Sequence, residues 1–370
     1  MTHPMLAKAN HDEEAEQLFV RDLKQYLQAE IEPHQQMTAQ ALDPGLRHNA
    51  RADHVFAALH EEPAFRVWSS LRRSSQELLW NSVWQTVDRQ SAELDDVATQ
   101  AEPLGSLELY EDFVIPAYLE DAHVHLMPGG YGLDSEGVRQ GAVMDRGGAV
   151  YMLGRNGGFM NDGRGRAVVA HLASCYSDFT PDRLVELGCG IGASIVPVAN
   201  AYPKAESFAI DVGSSMLRYA HARASHLGAA VHFVQDNAEA TRFEDESFDL
   251  VFSAALLHET SVSAIPAIMA ESYRLLRPGG IVVHLEVPTR YEQLDLWGQI
   301  RAEVEHDYNN EPAWRTATSI DYSALLRAAG FDDCLVGFQD AVQGDAITQS
   351  EFGPNSRGTF LSWFVASARK

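Results

Sequence analysis

The spacing of apolar positions changes character twice along the chain. From about 13 to 115 it is helical. Leu18, Phe19, Leu23, Tyr26 and Leu27 fall on one stripe of a predicted first helix, closed soon afterwards by Pro33. A longer helix is expected to open at Pro63, with Trp68, Leu71, Leu78, Leu79, Val83 and Val87 at three- and four-residue steps. Trp80 and Trp84 widen that face, and an aromatic stripe at this spacing reads as helix–helix core. Between 116 and 166 the pattern breaks up, and twelve of the 27 glycines lie between Gly129 and Gly165. The alternating runs at 123–127 and 149–153 predict short strands in a Gly-rich connector or lid.

Beyond 166, short apolar runs alternate with helical periodicity, as a doubly wound parallel sheet requires. Strands are predicted near 183–187, 206–211, 231–235, 248–253, 280–286, 331–338 and 358–368. Helices are predicted near 164–177, 193–201, 213–226, 262–276 and 320–329. Insertions at 287–319 and 339–357 each follow a strand, and so are placed to reach over the mouth of a site at the strands' carboxyl ends. The expected organisation is a helical cap at 1–115, a connector at 116–166 and an α/β domain at 167–370.

One of those strands runs into the most informative segment, Val185-Glu186-Leu187-Gly188-Cys189-Gly190-Ile191-Gly192. Glycine at every second position lets backbone bend sharply with no side chain between it and a ligand. No Gly-Lys-Ser/Thr follows, so this is not a P-loop. Nineteen residues after Gly192, the apolar run Ser207-Phe208-Ala209-Ile210 ends in Asp211, a carboxylate suited to the two hydroxyls of a ribose.

Here the chain resembles the class I S-adenosylmethionine-dependent methyltransferases over about 180–370. Glu186 to Gly192 is similar to their first motif and Asp211 to their ribose-binding acid. Val231-His232-Phe233-Val234-Gln235-Asp236-Asn237-Ala238 resembles their third strand and adenine loop, and Phe248-Asp249-Leu250-Val251-Phe252-Ser253 their fourth strand. Leu275-Leu276-Arg277-Pro278-Gly279-Gly280 is similar to the turn before the fifth strand, and 359–368 to an antiparallel last strand.

The resemblance implies a Rossmann-like seven-stranded sheet and S-adenosyl-L-methionine as cofactor. It implies cofactor contacts from Glu186, Gly188, Cys189, Gly190, Gly192, Asp211, Val212, Met216, Asp236, Asn237, Ala238 and Ser253. Asn237 stands where the family usually has an acid, which leaves open which of Asp236 and Asn237 meets adenine. The Asp/Asn-Pro-Pro-Tyr/Phe motif of amino-methylating enzymes is replaced by Ala254-Ala255-Leu256-Leu257-His258-Glu259.

Methyl transfer from a sulfonium needs alignment and, for a hydroxyl or thiol acceptor, a base. His258 after the fourth strand is the candidate base, set against a histidine merely bonded to backbone. Glu286, ending the fifth strand, is the second catalytic candidate. Tyr151 and Arg155 in the Gly-rich segment, and Tyr308 and Asn309 in the polar run 307–312, are candidate substrate contacts together with His258. His123 and His125, two apart on an extended run, would share a face, but no third ligand is evident and no metal is expected.

The 370 residues carry 28 basic and 52 acidic side chains, a formal charge of −24 that repels phosphate backbones and argues against a nucleic-acid partner. Three cysteines, Cys175, Cys189 and Cys334, are too few and scattered for a disulfide framework. Neither a signal peptide nor an apolar run of membrane-spanning length is seen, so a cytoplasmic protein with no membrane partner is expected. The expected function is methyl transfer, at oxygen, to a small-molecule substrate, with a homodimer as the assembly should the chain self-associate. Two alternatives stay open: a catalyst that uses the sulfonium without transferring methyl, and a non-catalytic cofactor-binding regulator.

Overall fold

A computed structural model describes residues 2–43, 49–120, 122–135, 137–152, 155–311, 313–342 and 347–370. The chain begins with α1 (His11–Tyr26), whose first turn is closed by a reciprocal cap between Asn10 and Glu13. A π turn at Leu27–Ile31 carries it on into α2 (Glu32–Leu42). Pro33 therefore does not close the first helix. It sits in the first turn of α2, where its missing N–H costs nothing. Only part of the predicted stripe packs: Leu27 is buried and Leu23 half-buried, but Leu18, Phe19 and Tyr26 are exposed, and Gln17 and Val20 are buried in their place.

Next come α3 (Asn49–Leu59), α4 (Pro63–Asp88) and α5 (Ser91–Gln100). Pro63 opens α4 as expected, and Trp68, Leu79, Trp80, Val83 and Val87 are buried. Leu71 and Leu78 instead face solvent. The two-residue β1 (Leu107–Glu108) then reaches the main sheet.

The Gly-rich segment departs most from expectation. The run at 123–127 is not a strand: Val124–Leu126 is a single 3-10 turn in which His125 and Leu126 adopt left-handed φ of 55° and 59°. The described part of 149–153 ends a helix, α6 (Arg139–Tyr151); Leu153 lies outside the described residues. Its glycines are close-approach positions rather than breakers. A Cβ on Gly141 would come within 2.2 Å of the Tyr219 side chain, and one on Gly147 within 2.1 Å of the Trp80 ring.

The remaining elements are α7 (Gly163–Cys175), β2 (Arg183–Leu187), α8 (Ile195–Ala201), β3 (Glu206–Asp211), α9 (Ser214–His226), β4 (His232–Gln235) and β5 (Phe248–Ala254). They continue with α10 (Ala264–Leu275), β6 (Leu276–Glu286), α11 (Leu296–Tyr308), α12 (Trp314–Ser319), α13 (Tyr322–Ala329), β7 (Cys334–Asp340), β8 (Phe352–Gly353) and β9 (Ser362–Arg369). The sheet order is β1-β4-β3-β2-β5-β6-β9-β7-β8. Setting aside the two-residue edge strands leaves the expected seven, with β9 antiparallel to both β6 and β7.

Alternate residues of the central strands feed two cores, which is why their middles are apolar on both faces. Leu184, Leu250, Phe252, Val283 and Val365 meet α7, α8 and α9 on one face. Val185, Leu187, Val251, Val282 and Phe364 meet α10 and α13 on the other. A third core joins the amino-terminal helices to the sheet domain: Met5, Leu79, Trp80, Val83 and Val143 pack with Ile191, Met216 and Tyr219. Insertion 287–319 supplies α11, which docks on the amino-terminal helices through Trp297 against Trp68 and Arg301 bonded to Glu32. The described part of insertion 339–357 instead places β8 beside β7 at the sheet edge, because its Phe352 and Gly353 find unpaired backbone there, and it does not reach over the site.

Candidate functional site

The parallel strands end on a turn that only glycine accommodates. Gly188, Gly190 and Gly192 have φ of 69°, 52° and 71°. A Cβ on Gly188 would strike the Leu256 side chain at 2.4 Å, whereas one on Gly190 would find only Met144 Cε at 3.9 Å, so that stretch of backbone is open to a ligand. The next strand supplies Asp211, whose carboxylate accepts from Gly190 N at 2.8 Å and Gly213 N at 2.9 Å, tying the two strand ends together.

The Asp236 oxygens accept from Asn237 N and Arg242 N, at 3.0 and 2.8 Å, and so serve the loop's own shape. Asn237 is half-buried, its Oδ1 accepting from Glu239 N at 3.0 Å. Glu186 is buried and its Oε2 has no hydrogen-bond partner. Burial pushes its carboxyl well above the usual range, against the pull of Arg164 and with a further push from Asp211.

A cavity of about 260 Å³ is lined by Glu186, Gly188, Cys189, Gly190, Asp211, Val212, Asp236, Asn237 and Ala238. Three sequence-derived cofactor residues are not on its wall. Gly192 packs beneath the turn near Ala220 and Phe233, and Met216 is fully buried in the core between the two halves. Ser253 points away into the interior, where its hydroxyl meets His284 Nδ1 at 2.8 Å.

The far wall of the same cavity is built by His125, His258, Glu259 and Glu311, with the carboxylate of Glu286 behind His258. His125 Nε2 lies 2.7 Å from Glu259 Oε1, and His258 Nε2 lies 3.3 Å from the same oxygen. Each ring's other nitrogen faces a further carboxylate: His258 Nδ1 is 2.6 Å from Glu286 Oε2, and His125 Nδ1 is 3.0 Å from Glu311 Oε1. Tyr131 donates to Glu259 Oε1 at 3.1 Å, and Asn309 Nδ2 donates to Glu311 Oε1 at 2.5 Å. Glu259 Oε2 and Glu311 Oε2 are buried without partners.

His123 does not share this face. It is exposed, because the left-handed turn at His125 rotates the two rings apart. The His125 carbonyl is held in that turn from α4, by Gln76 Nε2 at 3.0 Å and Trp80 Nε1 at 2.7 Å.

These contacts decide how His258, the candidate base, is protonated. Burial works against its charged form, but the carboxylates of Glu286 and Glu259 outweigh it and hold the ring protonated well above the usual range. His125 is in the same position: burial lowers it, Glu259 and Glu311 raise it further, and it stands at about 10. Glu259 is correspondingly held below the ordinary carboxylate range; burial opposes this, and His125 and His258 prevail.

A second cavity of about 410 Å³ adjoins the first, sharing Tyr151, Glu311 and Trp314 on its wall. Arg155, Tyr308 and Asn309 line it as well, so all four non-histidine substrate candidates gather here, although Arg155 is exposed. Sequence reasoning missed its charged wall. Arg72 pairs with Glu305 at 2.5 Å, Arg301 with Glu32 at 2.5 Å, and Lys24 donates to Gln76. Burial, aided by Arg72, brings the Lys24 ammonium down to about 8. The one available signal was the Arg301/Glu305 spacing on a helix. Among the described residues no helix is long and apolar enough to cross a membrane.

Residues 184–280 match the family model described as a methyltransferase domain. Over 122 residues the chain is 28% identical to the fatty-acid O-methyltransferase of Mycolicibacterium smegmatis, covering 33% of this chain and 43% of that protein. Over 167 residues it is 30% identical to the ubiquinone/menaquinone biosynthesis C-methyltransferase UbiE of Bartonella quintana, covering 40% of this chain and 64% of that one. The chain thus spans between about two fifths and two thirds of the length of these relatives. A solved structure of Haemonchus contortus phosphoethanolamine N-methyltransferase 2 with phosphomonomethylethanolamine and S-adenosylhomocysteine aligns with a TM-score of 0.42 at 17% identity. That alignment covers 60% of this chain and 58% of the other.

Proposed function

Because the chain belongs to the class I S-adenosylmethionine-dependent methyltransferase family, whose cofactor is S-adenosyl-L-methionine, we propose that it methylates a small-molecule acceptor enclosed between the sheet and the amino-terminal helices. The observation that carries this reading is the continuity of one cavity from the glycine turn to the His125–Glu259–His258 cluster.

The residues on the glycine side fit the cofactor. Glu186 Oε2, buried and unpartnered, is an acceptor placed for an ammonium group beside the turn. Asp211 at the end of β3 takes the ribose hydroxyls, and Val212 packs on the adenine. Asp236 and Asn237 both line this end of the cavity, each with side-chain oxygens that also accept from loop amides, and the pair reads the adenine edge. When bound, the cofactor supplies an electrophilic methyl on a sulfonium with a good leaving group.

The far wall positions the acceptor. Glu311 Oε2, beside Glu259, accepts from its O–H or N–H, aiming a lone pair along the line of displacement. A hydroxyl acceptor has one proton, which this single free oxygen takes, leaving a lone pair for the methyl. His258 and Glu286 act through Glu259: the Glu286–His258 pair fixes the ring that fixes that carboxylate. Tyr151 and Tyr308 wall the acceptor's far end, where the adjoining cavity gives it length. The amino-terminal half is then a cap that belongs to the site rather than a tethered module.

The test combines calorimetry with S-adenosylhomocysteine and incubation of labelled cofactor with a metabolite extract. Micromolar binding together with a labelled small-molecule product is the expected result. Binding with no label transferred, or with a cofactor-dependent but unlabelled product, would overturn methyl transfer.

A further inference from the structure

We propose that His125, His258 and Glu259 form a binding site for one divalent transition-metal ion at the acceptor end of the cavity. The inference rests on the reading of this cavity as the place where the acceptor sits, and deepens it by naming what activates the acceptor.

The three side chains form an ion-paired cluster whose geometry is also close to that of a ligand set. One ligand atom from each of the three residues lies within 4.8 Å of the other two. Two atoms bound at about 2.1 Å to a common tetrahedral ion lie about 3.4 Å apart. His258 Nε2 and Glu259 Oε1, 3.3 Å apart, already have that separation, while His125 Nε2, at 2.7 Å, would have to draw back.

The outer contacts point the same way. A carboxylate only accepts, so Glu286 and Glu311 fix the Nδ1–H of each ring and turn both Nε2 atoms on Glu259. A carboxylate behind each ligating imidazole is the arrangement that orients metal-binding histidines. Glu259 Oε2, on a side chain only 10% exposed, has no partner and is free to complete the set. Two histidines and a carboxylate with open positions suit zinc or iron(II), and imidazole disfavours Mg²⁺.

In the metal-free arrangement the protons on the two rings supply the positive charge among the carboxylates; the ion replaces them, and they leave to solvent. All three ligands line the cofactor cavity, so an acceptor there would reach the ion's open positions. An acceptor hydroxyl bound there would give its proton to the unpartnered Glu311 Oε2 and be held as the alkoxide or phenolate. The O–CH₃ bond then forms as the S–CH₃ bond breaks, the sulfonium becoming a neutral thioether. The left-handed His125 turn, fastened by Gln76 and Trp80, is the part of the cap that completes the site.

The experiment titrates Zn²⁺ into chelator-stripped full-length protein by calorimetry, with neither cofactor nor acceptor present. One equivalent should bind at micromolar dissociation constant or tighter. His125→Ala and His258→Ala should each weaken it at least 100-fold, and Glu311→Gln about 10- to 100-fold. Co²⁺ added to the unsubstituted protein should show the intense visible bands of a four- or five-coordinate ion, a readout that needs no variant to fold. Failure of the folded protein to take up Zn²⁺, a Co²⁺ spectrum like that of the hydrated ion, or uptake unchanged in folded His125→Ala would each overturn the site. Because no cofactor is present, these failures leave methyl transfer standing. Conversely, normal Zn²⁺ uptake with no binding of S-adenosylhomocysteine would remove methyl transfer and keep the metal site.

Discussion

His125 Nε2 lies 2.7 Å from Glu259 Oε1, a contact between residues 134 positions apart. It joins the Gly-rich segment to the loop after β5, and so makes the amino-terminal half a constituent of the site. The joint is braced on both sides. Trp80 and Gln76 of α4 hold the His125 carbonyl, and Tyr219 of α9 donates to Asp145 of α6 at 2.7 Å. Trp80→Phe should cost about 1 kcal/mol of stability through the lost hydrogen bond, read by urea denaturation. It should also lower turnover more than it lowers cofactor affinity, since it loosens the acceptor wall and not the glycine turn. Equal losses in both would mean that the cap does not position His125 specifically.

Asp211→Ala should reduce affinity for S-adenosylhomocysteine at least tenfold. Hydrogen bonds to a charged group are each worth about 1.5–3 kcal/mol, and the carboxylate also holds Gly190 N, whose position the turn depends on. Calorimetry giving an unchanged dissociation constant would remove the ribose assignment.

Gly147→Ala should destabilise the protein although alanine is the better helix former. The added methyl would meet the Trp80 ring at 2.1 Å, and overpacking of this kind costs about 1–3 kcal/mol. Paired with Trp80→Phe, the loss should shrink in a double-mutant cycle. Gly147→Ala at wild-type stability would show that α4 and α6 are not in close packing.

The seven longer strands were legible because each holds an apolar run bounded by turns; the two-residue β1 and β8 are too short to leave one. The glycine turn was legible for a similar local reason: positive φ at three alternate positions admits few residue types. The Gly-rich segment was not, because glycine has two uses that look alike in sequence. At Gly141 and Gly147 it thins a helix for a neighbour's ring, and only the neighbours, Tyr219 and Trp80, reveal that. The His125 cluster was half-legible. His258 and Glu286 follow from strand ends, whereas Glu259 and Glu311 become partners of His125 only through a left-handed turn that no local pattern announces. Ser253 was misplaced by the period of two: one residue along a strand reverses the face, and its hydroxyl went to His284 in the interior.

The last prediction concerns acid stability. His171 is buried between α7 and the sheet, with Nδ1 3.1 Å from Gln339 Oε1 and Nε2 2.8 Å from Ser367 Oγ. Burial, only partly countered by the Gln339 contact, lowers its pKa to about 4. In the unfolded chain the ring titrates near 6.5. Between those values the unfolded state binds a proton that the folded state refuses, so stability falls as pH drops from about 6.5 to about 4, by at most roughly 1.4 kcal/mol per pH unit. His284, buried beside Ser253 and likewise lowered to about 4, adds a second slope of the same sign. Replacing one ring, as in His171→Gln, should therefore reduce the proton uptake on unfolding near pH 5 by about one, leaving the His284 contribution in place. Urea denaturation of both proteins across pH 4.5–7 measures this as a difference in slope, in which the carboxylates common to both cancel. Parallel curves would mean that His171 is already protonated in the folded protein at pH 5, with a hydroxyl or amide turned to accept from each nitrogen.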